Sequence, residues 1–431
     1  MIKATKDKNL GLLELIAIAL GGMIGGGIFT VLGISVSMIG VYTPLAFIIG
    51  GLLAFLAVYS YIKLAVYYKD EGATYSFFKR TFPQSPFLAS LIGWWVIFGY
   101  ISTLALYAYT FSSYAISGFD FANNEMIRKL VAGAIILVFT LINVWSVKGM
   151  GEIEDIMVYT KFSILLIISF VLINNANTTI PTLLEITPDV TLLSIFIVAA
   201  LTFVAFEGFQ LVINAVNEME SPEKNIPKSI YIALALTMLI YFVLAFGAIV
   251  AIPFESIITN QEYALAAGAN KILGHWGTNL VIFGALLATS SAISGTLFGA
   301  SRQMSVVARD GYFPSFLIKR KNNIPIYAII TMAVLAFLLI LVGNLKVILE
   351  FSSVTFLLVS LLMAVANLRM YKETASSLIV TILAIIGLLF GMVLILYYEY
   401  TAQIDQLFFM GGLYVLLSIG AYLYARSSQK I

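Results

Sequence analysis

The sequence has no cysteine and a single histidine. The first absence excludes disulfides, thiolate nucleophiles and cysteine-ligated metals. The second leaves His275, in a loop beside Trp276, as a surface residue rather than a metal ligand. Charge is scarce as well: Asp, Glu, Lys and Arg make up 11% of the chain, where a soluble domain carries about 25%. There is no phosphate-binding loop or ATPase motif, and no basic arm of the kind that holds nucleic acid. Ser, Thr and Glu are scattered without a nucleophile and base constellation. Enzymatic chemistry, a cofactor, a metal and an obligatory protein partner are therefore not expected.

What remains is apolar. Hydrophobic residues are 61% of 431, and the mean hydropathy is +1.00, which describes an integral protein of the lipid bilayer. At about 20 apolar residues per crossing, twelve helices are predicted. They lie near residues 11–38, 42–68, 86–118, 128–147, 152–174, 189–217, 228–252, 278–306, 325–343, 348–371, 376–399 and 405–425. Lys3, Lys6 and Lys8 precede a span far too long for a cleavable signal, so the first helix is read as retained. With both termini in the cytoplasm, nineteen of the 24 basic residues fall on the inner side, and only Arg128, Lys129, Lys271 and Lys346 on the outer. That asymmetry follows the positive-inside rule and predicts a multi-pass protein of the cell membrane. No linker divides the chain, so residues 1–431 are read as one domain.

The first span is unusual at its centre, Gly21-Gly22-Met23-Ile24-Gly25-Gly26-Gly27-Ile28-Phe29. Each glycine costs a helix about 0.8–1 kcal/mol relative to alanine. Peptide groups without partners are tolerated at that depth only where they face protein or line a cavity. One reading is a broken helix whose amides at Gly25, Gly26 and Gly27 meet a carboxylate, as half-helix N-termini do. The other is close helix packing through Gly22 and Gly26 at GxxxG spacing. The sixth span breaks similarly at Phe203-Val204-Ala205-Phe206-Glu207-Gly208-Phe209-Gln210. Five helices separate the two breaks, so the two helices cross in opposite directions. Paired interruptions of this kind point to a transporter site between inverted repeats. Helices 1–5 (about 11–174) and 6–10 (about 189–371) would be the repeats, with helices 11 and 12 (about 376–425) appended.

Three stretches carry a family resemblance. Leu10 to Phe29, ending in the run Ile24–Phe29, resembles the first helix of the amino acid–polyamine–organocation (APC) superfamily. Asn217-Glu218-Met219-Glu220-Ser221-Pro222-Glu223-Lys224-Asn225-Ile226-Pro227-Lys228-Ser229-Ile230 is similar to its permease signature. Ser301-Arg302-Gln303-Met304 through Ala308-Arg309-Asp310-Gly311-Tyr312-Phe313-Pro314 resembles a third marker. Two of the three also have plain structural readings. Pro227 suits the first turn of helix 7, and Gly311 with Pro314 suits the end of helix 8.

The resemblance implies the LeuT-type fold with a substrate site between helices 1, 3, 6, 8 and 10. It implies an amino acid whose carboxylate meets helix 1 amides, while its amine meets carbonyls from the breaks around Met23, Phe203 and Phe206; Ile24, within the first break, is a further substrate-binding candidate. Dipole direction supports the same assignment. Phe206, Phe209, Tyr107 and Phe356 are candidate walls, although aromatics in membrane helices more often simply pack. Walls of this kind suit small, neutral or apolar amino acids.

Two charges lie inside the predicted spans. A mid-membrane carboxylate is functional by default, and Glu207 has three readings: partner of a cationic substrate, proton carrier, or structural brace of the broken helix, with the brace leading. Lys161 either snorkels to the surface along its stem or reaches inward. In sodium-coupled relatives of the fold the ion sits between helices 1 and 8 beside helix 5. An ammonium there would replace it, taking carbonyls near Gly22 and hydroxyls of Ser290, Ser291 or Ser294. Burial penalises the charged form of an amine, so gain and loss of that proton would couple transport to a proton gradient, as in archaeal broad-specificity members that the chain resembles. The expected activity is proton-coupled symport of amino acids. The alternatives are an exchanger of the same fold, in which Lys161 is a permanent charge, and a membrane sensor that binds amino acids without moving them.

Overall fold

The computed structural model describes residues 10–428, apart from 71, 146, 188, 217–218 and 322–323. Lys3, Lys6, Lys8, Lys430, Asn217 and Glu218 thus lie outside the described residues. Helices follow one another as α1 (Leu12–Met23), α2 (Gly27–Ile39), α3 (Thr43–Tyr68), α4 (Ala73–Thr81), α5 (Pro86–Ile116), α6 (Glu125–Trp145), α7 (Val147–Asn174), α8 (Ile180–Ile186) and α9 (Leu192–Thr202). They continue as α10 (Gln210–Asn214), α11 (Pro222–Ala251), α12 (Phe254–Thr259), α13 (Ala264–Arg309), α14 (Ile326–Val342), α15 (Leu345–Arg369), α16 (Leu378–Ala402) and α17 (Ile404–Ser428). Among the described residues there is no β-sheet, only two isolated bridges, Leu10 with Met219 and Lys321 with Ile324.

Among the described residues ten segments are long and apolar enough to cross a membrane, and two shorter apolar helices, α1 and α14, accompany them. One of the ten, Gly27–Tyr68, spans 42 residues, about 63 Å at 1.5 Å per residue. It is not one rod: Gly40, with φ +51°, turns the chain between α2 and α3. The bundle has an inside and an outside. α15 is the most enclosed of the crossing segments, whereas α6 and α17 leave most of their surface open. The exposed residues there and on α16 are Leu137, Ile379, Phe408 and their like, which is what hydrocarbon contact requires.

Helix ends follow the local chemistry. Pro86 and Pro222 open α5 and α11 from the first turn, where a missing N–H is no loss. Asn344 accepts from the Val347 amide at 2.9 Å to cap α15. α13 stops at Arg309, where Gly311 takes φ +86° and the Tyr312 amide reaches back to the Val307 carbonyl at 3.1 Å, the αL stop that glycine permits.

Some expectations need correction. Pro227 lies inside α11 rather than in its first turn. Pro222 already starts that helix, after a segment tied to Leu10 by the bond from the Glu220 amide to the Leu10 carbonyl at 3.0 Å. α7 begins at Val147, earlier than predicted, because its polar first turns carry no hydropathy signal. α13 starts far upstream of residue 278 and is divided by Gly274 at φ +61°. α4, α8 and α12 had no counterpart among the twelve predicted spans.

α4 locks one end of the bundle. The Tyr75 hydroxyl donates to Asp310 Oδ2 at 2.7 Å, and Lys79 Nζ lies 2.8 Å from the same oxygen. Burial, and then the Asp310 carboxylate that accepts its proton, hold the Tyr75 phenol well above its ordinary pKa. Arg80 pairs with Asp70 across the turn before α4.

Candidate functional site

The two interruptions meet at the centre of the bundle. α1 ends at Met23, Ile24 leaves the helical region with ψ 80°, and α2 restarts at Gly27. On the other side α9 gives way to a 3₁₀ turn at Phe203–Phe206, an extended Glu207, and Gly208 at φ +118° before α10. All of Gly22 to Gly27 and Phe203 to Glu207 are buried.

The glycines let backbone touch backbone. A Cβ on Gly22 would stand 2.7 Å from the Gly208 carbonyl oxygen, and one on Gly208 would stand 2.4 Å from the Gly22 carbonyl carbon. Gly25 abuts Ala292 and Tyr107, Gly26 abuts Thr110 and Tyr107, and Gly27 abuts the Ala205 Cα at 2.8 Å. Close packing therefore accounts for these glycines by itself, and it coexists with the broken backbone. The Gly25 amide donates to the Met23 carbonyl at 3.0 Å.

Lys161 enters this break from α7. It has no exposed surface, so its stem does not run to the surface. Its Nζ donates to the Ile24 carbonyl at 2.6 Å, the Gly21 carbonyl at 2.9 Å and Ser291 Oγ at 3.2 Å. The carbonyls are those flanking the expected Gly22, whose own part is the contact with Gly208. Ser290 and Ser294 are buried on the same stretch of α13. Breaking the helix frees Gly21 and Ile24 carbonyls from regular i to i+4 pairing, and a buried acceptor needs a donor. An ammonium brings three.

A residue that sequence reasoning missed ties the two breaks together. The hydroxyl of Tyr241, on α11, donates to the Met23 carbonyl at 2.8 Å and the Ala205 carbonyl at 3.0 Å. The Met23 carbonyl, expected to meet a substrate amine, thus already accepts from Tyr241 and Gly25. Tyr241 also packs its ring at a tilt against Phe206, centroids 5.3 Å apart. The available signal was a buried aromatic with a polar tip, which needs a partner.

Glu207 is 2% exposed. Gln210 Nε2 donates to its Oε2, and Gln210 Oε1 accepts from the Gly208 amide at 3.1 Å. The carboxylate is thus linked to the broken backbone through Gln210, which was not anticipated, and not by accepting from the freed amides itself. Among the described residues its Oε1 has no hydrogen-bond partner. Tyr107 lies beside Gly25 and Gly26 on α5. Phe356, on α15, packs edge-on against Tyr100 at 5.4 Å, and Phe209 edge-on against Tyr61 at 5.1 Å. The structure gathers Met23 to Gly27, Lys161, Ser291, Tyr107, Phe203, Phe206 and Glu207 about the breaks, while Phe209 is seated against α3. Among the described residues no group of three or more His, Asp or Glu side chains could hold a metal.

An all-helical, multi-pass membrane bundle with a buried polar centre at two helix interruptions is the architecture of a transporter rather than of an enzyme. The chain belongs to the amino acid permease family, whose model matches residues 10–419. It is 28% identical over 394 residues to the inner membrane transport protein YbaT of Escherichia coli, covering 90% of this chain and 91% of that one. It is also 28% identical to the uncharacterized protein MJ0609 of Methanocaldococcus jannaschii, over 92% and 90% of the two chains. The branched-chain amino acid permease BcaP of Bacillus subtilis is 25% identical over 72% of this chain and 69% of its own. Membership supports membrane transport of amino acids.

Proposed function

We propose that the protein is a secondary active transporter that carries small or neutral L-amino acids with broad specificity, coupled to protons through Lys161. It would sit in the cell membrane with both termini cytoplasmic, crossing twelve times as two inverted five-helix repeats with α16 and α17 appended. The observation that carries this reading is the Lys161 ammonium at 2.6 and 2.9 Å from the two carbonyls of the helix 1 break, and 3.2 Å from Ser291 on α13. An ammonium so held bridges the break to α13. When the proton leaves, one donor and the charge leave with it, and the bridge weakens. Proton binding would in this way set the position of the segment that frames the substrate carboxylate at Gly25, Gly26 and Gly27.

One feature favours the exchanger. Three acceptors match the three N–H bonds of a charged lysine, which suits a permanent brace. Alanine uptake into proteoliposomes in sodium-free buffer separates the two readings. With an imposed inward proton gradient and no internal amino acid, symport gives accumulation by the wild type and none by Lys161→Ala. If uptake occurs only against internal amino acid and is indifferent to pH, proton coupling is wrong and exchange stands. If alanine binds but crosses under neither condition, the sensor reading replaces both.

A further inference from the structure

A second buried charge cluster lies far along the sequence from the helix breaks. Glu350 sits on the second turn of α15 and Glu399 one turn before the end of α16, and neither has any exposed surface. The two helices pack side by side, and the two carboxyls face each other. Among the described residues, none of their four oxygens has a hydrogen-bond donor. The charged group beside them is Lys346, whose Nζ lies 3.8 Å from Glu350 Oε1 and donates instead to the Tyr398 hydroxyl at 2.8 Å. Among the described residues, the charges that act on each carboxyl are the other carboxyl and Lys346.

Carboxylates only accept hydrogen bonds. Two of them pressed together without a donor leave four buried acceptors unsatisfied and two like charges opposed, and one lysine balances one charge. Facing carboxyls at a shared site meet this by holding one proton between them. A single O–H supplies the missing donor and removes the excess charge in one step. We propose that Glu350 and Glu399 share one proton and form a proton-binding site separate from Lys161, a latch that joins α16 to α15.

The latch touches the centre through α15 itself. That helix also carries Ser353, which donates to the Leu201 carbonyl at 3.1 Å just ahead of the second break, Ser352, bonded to Ser102 of α5 at 2.8 Å, and Phe356. Loss of the shared proton would set two carboxylates against each other across the α15–α16 seam and load the helix that abuts the second break.

The test is infrared spectroscopy of the purified full-length protein in lipid nanodiscs, and it does not depend on transport. At neutral pH the wild type is expected to show a protonated-carboxyl C=O band that shifts in heavy water. Glu350→Gln and Glu399→Gln should each abolish that band, because an amide then supplies the donor and the remaining carboxyl ionises. Glu207→Gln should leave it in place. As a second readout, the wild type should lose thermal stability as pH is raised from neutral to alkaline, and either Gln variant should flatten that loss. With Glu207→Gln as the background, a band that survives both substitutions, or that disappears in only one of them, overturns the shared proton. So does an alkaline stability loss equal in wild type and variants.

Discussion

Gly22 and Gly208 are where the two broken helices touch, and the contact has a calculable tolerance. In Gly22→Ala the new methyl meets the Gly208 carbonyl oxygen at 2.7 Å and Leu211 Cδ1 at 2.8 Å. The leucine methyl can rotate away. The carbonyl cannot, because it accepts the Leu211 amide at 3.1 Å and so begins α10. Overpacking of this kind costs about 1–3 kcal/mol, and the gain in helix propensity returns about 1 kcal/mol, leaving a net loss of about 0–2 kcal/mol, toward the upper end because the carbonyl is fixed. Gly208→Ala meets the Gly22 carbonyl carbon at 2.4 Å and must also hold φ +118°. The backbone strain adds about 1–3 kcal/mol, so the total is about 2–6 kcal/mol. Gly412→Ala on α17 is the control, with nothing within 4 Å and a gain of about 1 kcal/mol. Thermal melts of the detergent-solubilised variants should rank Gly412→Ala highest, then wild type, then Gly22→Ala, then Gly208→Ala. If Gly22→Ala melts with the control, or Gly208→Ala no lower than Gly22→Ala, the contact does not limit the backbone as argued.

Further outcomes follow from the same geometry. Tyr241→Phe deletes the donor shared by the Met23 and Ala205 carbonyls and should cost about 1–3 kcal/mol, read as a lower melting temperature and weaker retention of amino acid by equilibrium binding. An unchanged melt would mean that the two breaks are held by packing alone. Glu207→Gln keeps an acceptor for Gln210, so uptake should persist within several-fold and keep its pH profile; abolition would make the carboxylate itself the proton carrier. Tyr75→Phe removes the donor to Asp310 and should lower stability by about 0.5–1.5 kcal/mol. Because the phenol is raised in the folded protein, its contribution is fully present below the unfolded value of about 10 and is lost only as pH rises above it. The difference between wild type and variant should therefore be flat from pH 6 to 9, and a steep change in that window would contradict the assignment.

The parts of this protein that could be read from its sequence are those encoded locally. A run of glycines where the bilayer centre falls announces an interruption, and the break between Met23 and Gly27 needs no distant partner to be inferred. A lysine within an apolar run must go somewhere, and burial with carbonyl partners was one of two stated destinations. What could not be read depends on contacts between segments far apart in the chain. Nothing near Tyr241 says that its hydroxyl, on α11, will span carbonyls 218 and 36 residues away in sequence. Gln210 is a polar residue on a short helix until the fold sets it between Glu207 and the Gly208 amide. α4 escapes a hydropathy reading because its nine residues are too few and too polar to register, yet Tyr75 and Lys79 fasten it to Asp310. Pro227 misleads for a related reason: proline marks a helix start only when no earlier residue has started it, and Pro222 had. The glycine stretch shows the limit most clearly. Packing and an opened backbone stood as rival explanations, and the structure makes them the same fact, because Gly22 can approach Gly208 only where both chains have left regular helix or lack a side chain.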